Sequence, residues 1–326
     1  MKSCWRPSRH MLRLLLLSVK IMTIVKMVAF FYYLGTITIH MGTIKEKYAR
    51  LLEKVRNSDG PVVFINGCTH GHERIGARIV KELEKITAQR GVIITNIANE
   101  RAYDLGVPFT ESDLNRSFPG DPEGAYEEVL AYYINPIVKE ADIVIDIHST
   151  ETTCAGHDSA VILTKLDVPT LEIIEMIQPP RVLIMKHTEH NALISGAKIG
   201  LGFEYGKDKD ESTFKHVLND IKKILKSLNI IAHENYNNEQ TNADSLNTEF
   251  YEVTDTVKKP EGFILSDEVN NFTHIEKDTV LAKKGEESII AEDDFYPILF
   301  GRNRYKDIFG FKGFKIDDPR RYITQG

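Results

Sequence analysis

Apolar runs recur along this chain, separated by stretches with helical periodicity. Residues 62–65 (Val-Val-Phe-Ile) and 143–147 (Ile-Val-Ile-Asp-Ile) are almost continuously apolar, as buried parallel strands are. Residues 92–98, 161–163, 182–185 and 199–205 read as further strands. Between them, Ile44, Tyr48, Leu51, Leu52 and Val55 share one helical face that ends at Gly60-Pro61. Ile75, Ile79, Leu83 and Ile86 mark a second helix. Tyr126, Val129, Leu130, Tyr133 and Ile137 mark a third, which Pro136 is expected to kink or shorten. Phe214, Val217, Leu218, Ile221, Ile224, Leu225 and Leu228 line a helix over residues 213–228. Strands alternating with helices at this spacing predict an α/β fold with a mixed, largely parallel central sheet flanked by helices.

Two segments break the alternation. Residues 100–121 are polar and rich in turn formers, and read as a long loop. After residue 232 comes the polar stretch Asn235–Gln240, then short strand-like runs at 248–257, 280–282, 288–291 and 296–300. The expected organisation is an N-terminal extension over 1–40, an α/β catalytic domain over 41–232 and a smaller β-rich C-terminal domain over 233–326.

Charge and cysteine content narrow the functional classes. A net charge of −6 and the lack of a Lys/Arg cluster argue against a nucleic-acid partner. The three cysteines, Cys4, Cys68 and Cys154, have no CxxC spacing and cannot build a disulfide framework, so a reducing, cytoplasmic setting is expected. At the N-terminus Lys2, Arg6, Arg9 and Arg13 precede Leu14–Leu17 in the manner of a signal peptide, but Lys20 and Lys26 interrupt the apolar run and no small-residue cleavage site follows. The uncharged run over 27–39 is shorter than the roughly 20 residues a spanning helix needs. Residues 1–40 are therefore either a genuine segment or the product of a start placed upstream of Met22, Met27 or Met41, and no membrane partner is expected.

The chemistry is concentrated at strand ends. His70 and Glu73 lie three apart where a strand-end loop turns into a helix, and His148 closes a second apolar strand. Parallel strands bring such ends together along their carboxyl edge. Two histidines and one carboxylate are the ligand set of zinc hydrolases, with a fourth position left for water. The bland alternative, unrelated polar residues at strand ends, stands beside it. His72 could compete for an ion, but it lies between the two ligands and is expected to point elsewhere. Cys68 and Cys154 read as small residues packed near the sheet edge. Asn115 and Arg116, before the Ser117-Phe118-Pro119-Gly120 turn, read either as a clamp for a carboxylate or as an ordinary turn with solvated charge. Glu204 ends an otherwise apolar strand, as either a costly buried charge or a catalytic base.

Together, Gly67-Cys68-Thr69-His70-Gly71-His72-Glu73, Asn99-Glu100-Arg101-Ala102, Asp113-Leu114-Asn115-Arg116 and Asp146-Ile147-His148 resemble the succinylglutamate desuccinylase/aspartoacylase family, which has a zinc carboxypeptidase-like fold. The likeness covers residues 62–206 well and the C-terminal part loosely. It implies one Zn2+ held by His70, Glu73 and His148, with Arg101 polarising the scissile carbonyl. It also implies Asn115 and Arg116 on a substrate carboxylate, Glu204 as general base and acid, and Tyr305 as a substrate contact from the C-terminal domain. The implied reaction is hydrolysis of the amide bond of a small N-acyl amino acid, by a chain that could form a homo-oligomer. The rivals are a metallocarboxypeptidase acting on a peptide C-terminus and a non-catalytic binding module on the same fold. Departures from the family pattern are His72 for Asn, Glu100 for Pro, and Ile194 where aspartoacylases carry an arginine. Lys198 and Arg181 are the candidates to replace that arginine.

Overall fold

The computed structural model describes residues 42–150, 159–186, 191–232, 248–301 and 305–325. Two compact units are distinguished, Met1–Arg50 and Leu51–Gly326. Helix α1 (42–56) accounts for the described part of the first unit and opens the second.

The second unit begins with β1 (Val62–Gly67), α2 (Arg74–Leu83), β2 (Val92–Ile97), α3 (Glu100–Leu105), α4 (Tyr126–Glu140) and β3 (Ile143–His148). It continues with β4 (Ala160–Leu163), α5 (Val168–Ile177), β5 (Arg181–Ile184), β6 (Ile199–Glu204) and α6 (Glu211–Ser227). The C-terminal part supplies β7 (Glu249–Lys258), β8 (Ile264–Leu265), β9 (Val280–Lys284), β10 (Glu287–Ile290), β11 (Tyr296–Ile298), β12 (Ile308–Ile316) and α7 (Pro319–Gln325). Among the described residues nine strands form one sheet in the order β11-β12-β7-β5-β4-β6-β3-β1-β2, and β10-β9-β8 form a smaller antiparallel one. Strands β2, β1, β3 and β6 are mutually parallel, whereas β4 runs against β6. β7 joins the same sheet beside β5, so the C-terminal strands extend the sheet that carries the site.

One face of the sheet packs on α2 and α6. Val63, Ile65, Ile145, Ile147, Phe203 and Val161 pack in a single cluster with Ile75 and Ile79 of α2 and Ile221 and Ile224 of α6. The helices reach the sheet closely because of glycine: a Cβ on Gly67 would sit 2.6 Å from the backbone of Gly76, the third residue of α2.

Three local expectations need correcting. α4 continues past Pro136 to Glu140. The carbonyl that loses its bond to the proline belongs to Tyr132, which is exposed, so water can serve it. The segment expected as a loop over 100–121 contains α3, capped by the Asn99 side chain on the Ala102 amide, and a 3-10 turn over Leu114–Arg116. Each buries a single residue, Ala102 or Leu114, so neither shows an apolar period. Strand β12 was not foreseen, although Phe309 and Phe311 are its buried alternate positions. No helix of the described residues is long and apolar enough to cross a membrane, and residues 1–40 lie outside the described residues.

Candidate metal centre and hydrolytic site

The parallel strands β1 and β3 are register neighbours, with Gly67 beside Ile147, so the loop leaving β1 and the end of β3 meet at one edge. Cys68 turns that loop in a left-handed conformation (φ 57°), and its thiol donates to the Glu73 carbonyl at 3.3 Å. Burial pushes the Cys68 thiol up to about 12, so it remains protonated and serves packing. Where α2 begins, Glu73 makes no side-chain cap; the Asp208 carboxylate, from the loop after β6, accepts from the Ile75 amide at 2.6 Å instead. The Glu73 side chain is thereby free for other work.

That work is to bridge two imidazoles. Glu73 Oε1 lies 3.1 Å from His70 Nδ1, and Oε2 lies 3.0 Å from His148 Nδ1. One ligand atom from each of the three residues falls within 4.8 Å of the others, a cluster that could hold a metal ion. Each imidazole is backed on its far nitrogen by a second carboxylate: Asp113 at 3.2 Å from His70 Nε2, and Asp146 at 2.8 Å from His148 Nε2. A carboxylate behind a ligating histidine fixes ring orientation and raises its basicity.

The electrostatics suit a cation. Burial alone would lower the His70 pKa, but the charge of Glu73 and the hydrogen bonds that His70 donates to Asp113 and Glu73 outweigh it and raise it to about 9. Burial opposes a charged His148 as well, and Asp146 and Glu73 reverse that, holding it well above the ordinary value. Asp146 and Asp113 remain ionised: burial would raise both, and His148 and His70 respectively pull them down. Three carboxylates converging on two imidazoles leave surplus negative charge, the electrostatic demand that a divalent ion meets.

Glu204 is the register partner of His148 across the parallel pair β3–β6, so both side chains leave the same face at the same edge. Glu204 is 7% exposed. The loop bearing Asp113 is fixed by Glu127 of α4, which accepts from the amides of Thr110, Glu111 and Ser112.

The other expected site residues are distributed unevenly. Asn115 follows Asp113, which caps its amide at 2.9 Å, and Asn115 Oδ1 accepts from the Leu193 amide at 2.9 Å. Arg116 is held by its own turn, donating to the Asn115 carbonyl at 2.7 Å. Arg101 pairs with Glu111 at 2.8 Å and lies over the Tyr126 ring. Tyr305 packs edge-on against Phe311, 5.7 Å between centroids, beside the apolar cluster of Tyr251 and Leu183.

Ile194 is buried against β6, where a Cβ on Gly200 would sit 2.5 Å from the Ile194 carbonyl. Of the two cations considered for this position, Lys198 pairs with Asp142 at 2.7 Å where β3 and β6 begin, at the edge away from His148. Arg181 opens β5, which is parallel to β4 and so runs against β6. Extending the Ala160↔Glu204 and Val161↔Val182 registers by one residue sets Arg181 on the face and edge of Glu204, about 10 Å away by two strand spacings. Its guanidinium lies 4.1 Å over Phe272 and faces Glu249 at 3.4 Å, while Lys315 also pairs with Glu249 at 2.8 Å.

Asp113 and Asp146 are partners of the two imidazoles that sequence reasoning misses. For Asp146 a signal was present: two residues before His148 on a strand, it must share its face. Asp113 has none, because its partner His70 is distant in sequence.

Residues 59–252 match the catalytic domain of succinylglutamate desuccinylase/aspartoacylase. The N-alpha-acetyl-L-2,4-diaminobutyric acid deacetylase of Halomonas elongata is 36% identical over 103 residues, 29% of this chain and 30% of that protein. A probable aspartoacylase of Nostoc sp. is 28% identical over 163 residues, 44% of this chain and 54% of that one. The chain thus spans about a third and about half of these relatives' lengths. Murine aminoacylase 3 shares the fold, with a TM-score of 0.64 at 18% identity over 78% of this chain and 95% of that structure. With more than half of its length matched to that catalytic domain, the chain belongs to the succinylglutamate desuccinylase/aspartoacylase family.

Proposed function

We propose that this protein is a zinc-dependent deacylase that hydrolyses the amide bond of a small N-acyl amino acid. The observation that carries the reading is the Glu73 carboxylate bridging two Nδ1 nitrogens, with Glu204 beside His148 on the same face. The donor set fits zinc: two imidazole nitrogens and a carboxylate, each imidazole backed by a second carboxylate, suit its borderline-soft, tetrahedral preference. When bound, zinc polarises a carbonyl and lowers the pKa of water from 15.7 toward about 7.

The chain's own residues do the rest. Glu204, buried at the sheet edge, takes a proton from the attacking water and returns it to the departing amine. Arg101, once it leaves Glu111, donates to the carbonyl oxygen as charge develops there. Arg116 pairs with a substrate carboxylate, and Asn115 keeps the 114–116 turn against the segment around Leu193. Asp113 and Asp146 hold the imidazoles in place throughout.

The test is amine release by the zinc-loaded and the chelated protein from N-acetyl and N-succinyl amino acids, N-acetyl-2,4-diaminobutyrate included, beside C-terminal dipeptides. Zinc-dependent release from acyl amino acids supports the reading. Cleavage of dipeptides alone makes the protein a carboxypeptidase, and a protein that binds no zinc and hydrolyses nothing removes the reading altogether.

A further inference from the structure

A row of amides crosses the sheet behind the metal centre, and the family motifs do not account for it. Asn96 on β2 is register partner of Asn66 on β1, and Asn66 is register partner of Asp146 on β3. All three leave the same face as His148, and all three are buried. Asn96 Nδ2 donates to Asn66 Oδ1 at 2.8 Å. Asn66 Nδ2 donates to Asp146 Oδ1 at 2.9 Å and to Thr69 Oγ1 at 2.7 Å. The Thr69 hydroxyl donates in turn to Asp146 Oδ1 at 2.7 Å. Asp146 Oδ2 accepts from His148 Nε2 at 2.8 Å.

Proton bookkeeping allows one arrangement. An ionised Asp146 can only accept, so Asn66 must offer it the NH2 end of its amide. The Asn66 carbonyl end is then turned away and needs a donor, which Asn96 supplies. If Asn66 flipped, two acceptors would face each other in a dry interior. With Oδ1 of Asp146 occupied by two donors, Oδ2 is left for the His148 Nε2–H, so Nδ1 is the nitrogen that faces Glu73 and that would ligate an ion on giving up its proton.

We propose that Asn96 is a positioning residue for the metal centre: it locks the Asn66 amide and, through Asn66 and Asp146, fixes the ring orientation and tautomer of His148. The inference rests on the metal-site reading above. Asn96 touches neither ligand nor substrate in this account, and its influence crosses two strands. Losing it leaves a buried carbonyl without its donor or lets Asn66 flip, and either loosens Asp146 behind the ligand. A carboxylate bonded directly to a ligating imidazole tunes metal affinity by about tenfold to a hundredfold, and Asn96 acts through Asp146, which is such a group.

Two readouts decide the matter: zinc affinity of the full chain by competition with a chelator, and the 15N spectrum of the His148 imidazole. In Asn96→Leu we expect zinc affinity to fall about tenfold or more and the His148 Nε2–H signal to shift or broaden. Affinity within twofold of wild type, with an unchanged spectrum, overturns the proposal. A double-mutant cycle with Asn66→Leu separates positioning from mere folding, because Asn66→Leu by itself removes the amide donor to Asp146 and Thr69 through which Asn96 is proposed to act. Positioning through Asn66 predicts that the double variant binds zinc no more weakly than Asn66→Leu alone; affinity losses that add overturn the proposal. If Asn96→Leu does not fold, Asn96→Ser decides in its place: weaker zinc binding with a changed His148 spectrum supports the proposal, and wild-type values of both overturn it. If the wild-type protein binds no zinc, the metal-site reading fails by itself. The row is then judged on the metal-free His148 spectrum, which Asn96→Leu should change and which overturns the proposal if it does not.

Discussion

The two faces of β1, β3 and β6 are built from alternate residues of the same short strands and differ in chemistry at the carboxyl ends, although Phe64 and Val144 make the second face apolar earlier in the strands. Toward the helices stand Ile65, Ile145, Ile147 and Phe203, held by apolar packing alone. Toward the site stand Asn66, Asp146, His148 and Glu204, equally inaccessible to water. Burial is therefore uniform while its cause is not. The first face is buried because water rejects it. The second stays buried because Asn66, Asp146 and His148 each find partners there, and its net charge calls for a cation. Substitutions on the first face should act on stability, and those on the second on binding and turnover.

Adjacent residues of β6 give the sharpest form of that contrast. Glu204→Gln is expected to lower kcat by about 10² to 10⁴, the usual weight of a general base, with zinc stoichiometry and melting temperature close to wild type. Phe203→Ala, one residue earlier on the opposite face, should cost about 3–5 kcal/mol of stability by leaving a cavity, while the protein that remains folded still binds zinc. Steady-state kinetics beside denaturant unfolding measure both. Near wild-type turnover in Glu204→Gln would remove that residue as the base, and lost zinc binding in folded Phe203→Ala would show that the faces are not independent.

The pH dependence of the site carries opposite signs with and without metal. The His70 pKa is raised to about 9 in the metal-free fold, against an unperturbed value near 6.5. Its contribution to stability is then complete below about pH 6.5 and lost as pH rises through about 9. Zinc requires neutral imidazoles, so zinc binding displaces protons and strengthens with pH over the same window. Melting scans should show the chelated protein losing stability from about pH 6.5 to about 9 while the rise in melting temperature caused by zinc grows. A zinc-induced shift that is flat across this window would mean that the histidines do not ligate the ion.

Much of this was legible in the chain, for a physical reason. Apolar runs announce strands, and a parallel sheet gathers their ends, so His70, Glu73, His148 and Glu204 could be grouped before any coordinates. Period two also carried Asp146 to the face of His148. Asp113 on His70, Asp208 on the start of α2 and Asn96 on Asn66 were not legible, because each contact joins segments far apart and depends on register or loop path. The same holds for the reversal at β4. Nothing in Ala160–Leu163 records strand direction, yet that direction decides which cation lies near Glu204.

That reversal supports the last and smallest prediction. With β4 and β5 running against β6, the edge row reads His148, Glu204, Ala160, Arg181, Glu249, and its one small member lies between the proposed base and the arginine. Arg181 and Lys315 share the single carboxylate of Glu249, so the far end of the row carries net positive charge among these three groups. Lys198 is tied to Asp142 at the other edge and cannot serve here. If Arg181 reads an acidic group of the substrate, Arg181→Gln should lower the preference for N-acetylglutamate over N-acetylalanine about tenfold or more, chiefly through KM, as loss of a charge-assisted bond does. If it serves only the Glu249 pair and the Phe272 stack, both substrates should suffer alike along with the melting temperature. The ratio of the two kcat/KM values therefore separates recognition from support, and places the charged end of the row either inside the substrate site or outside it.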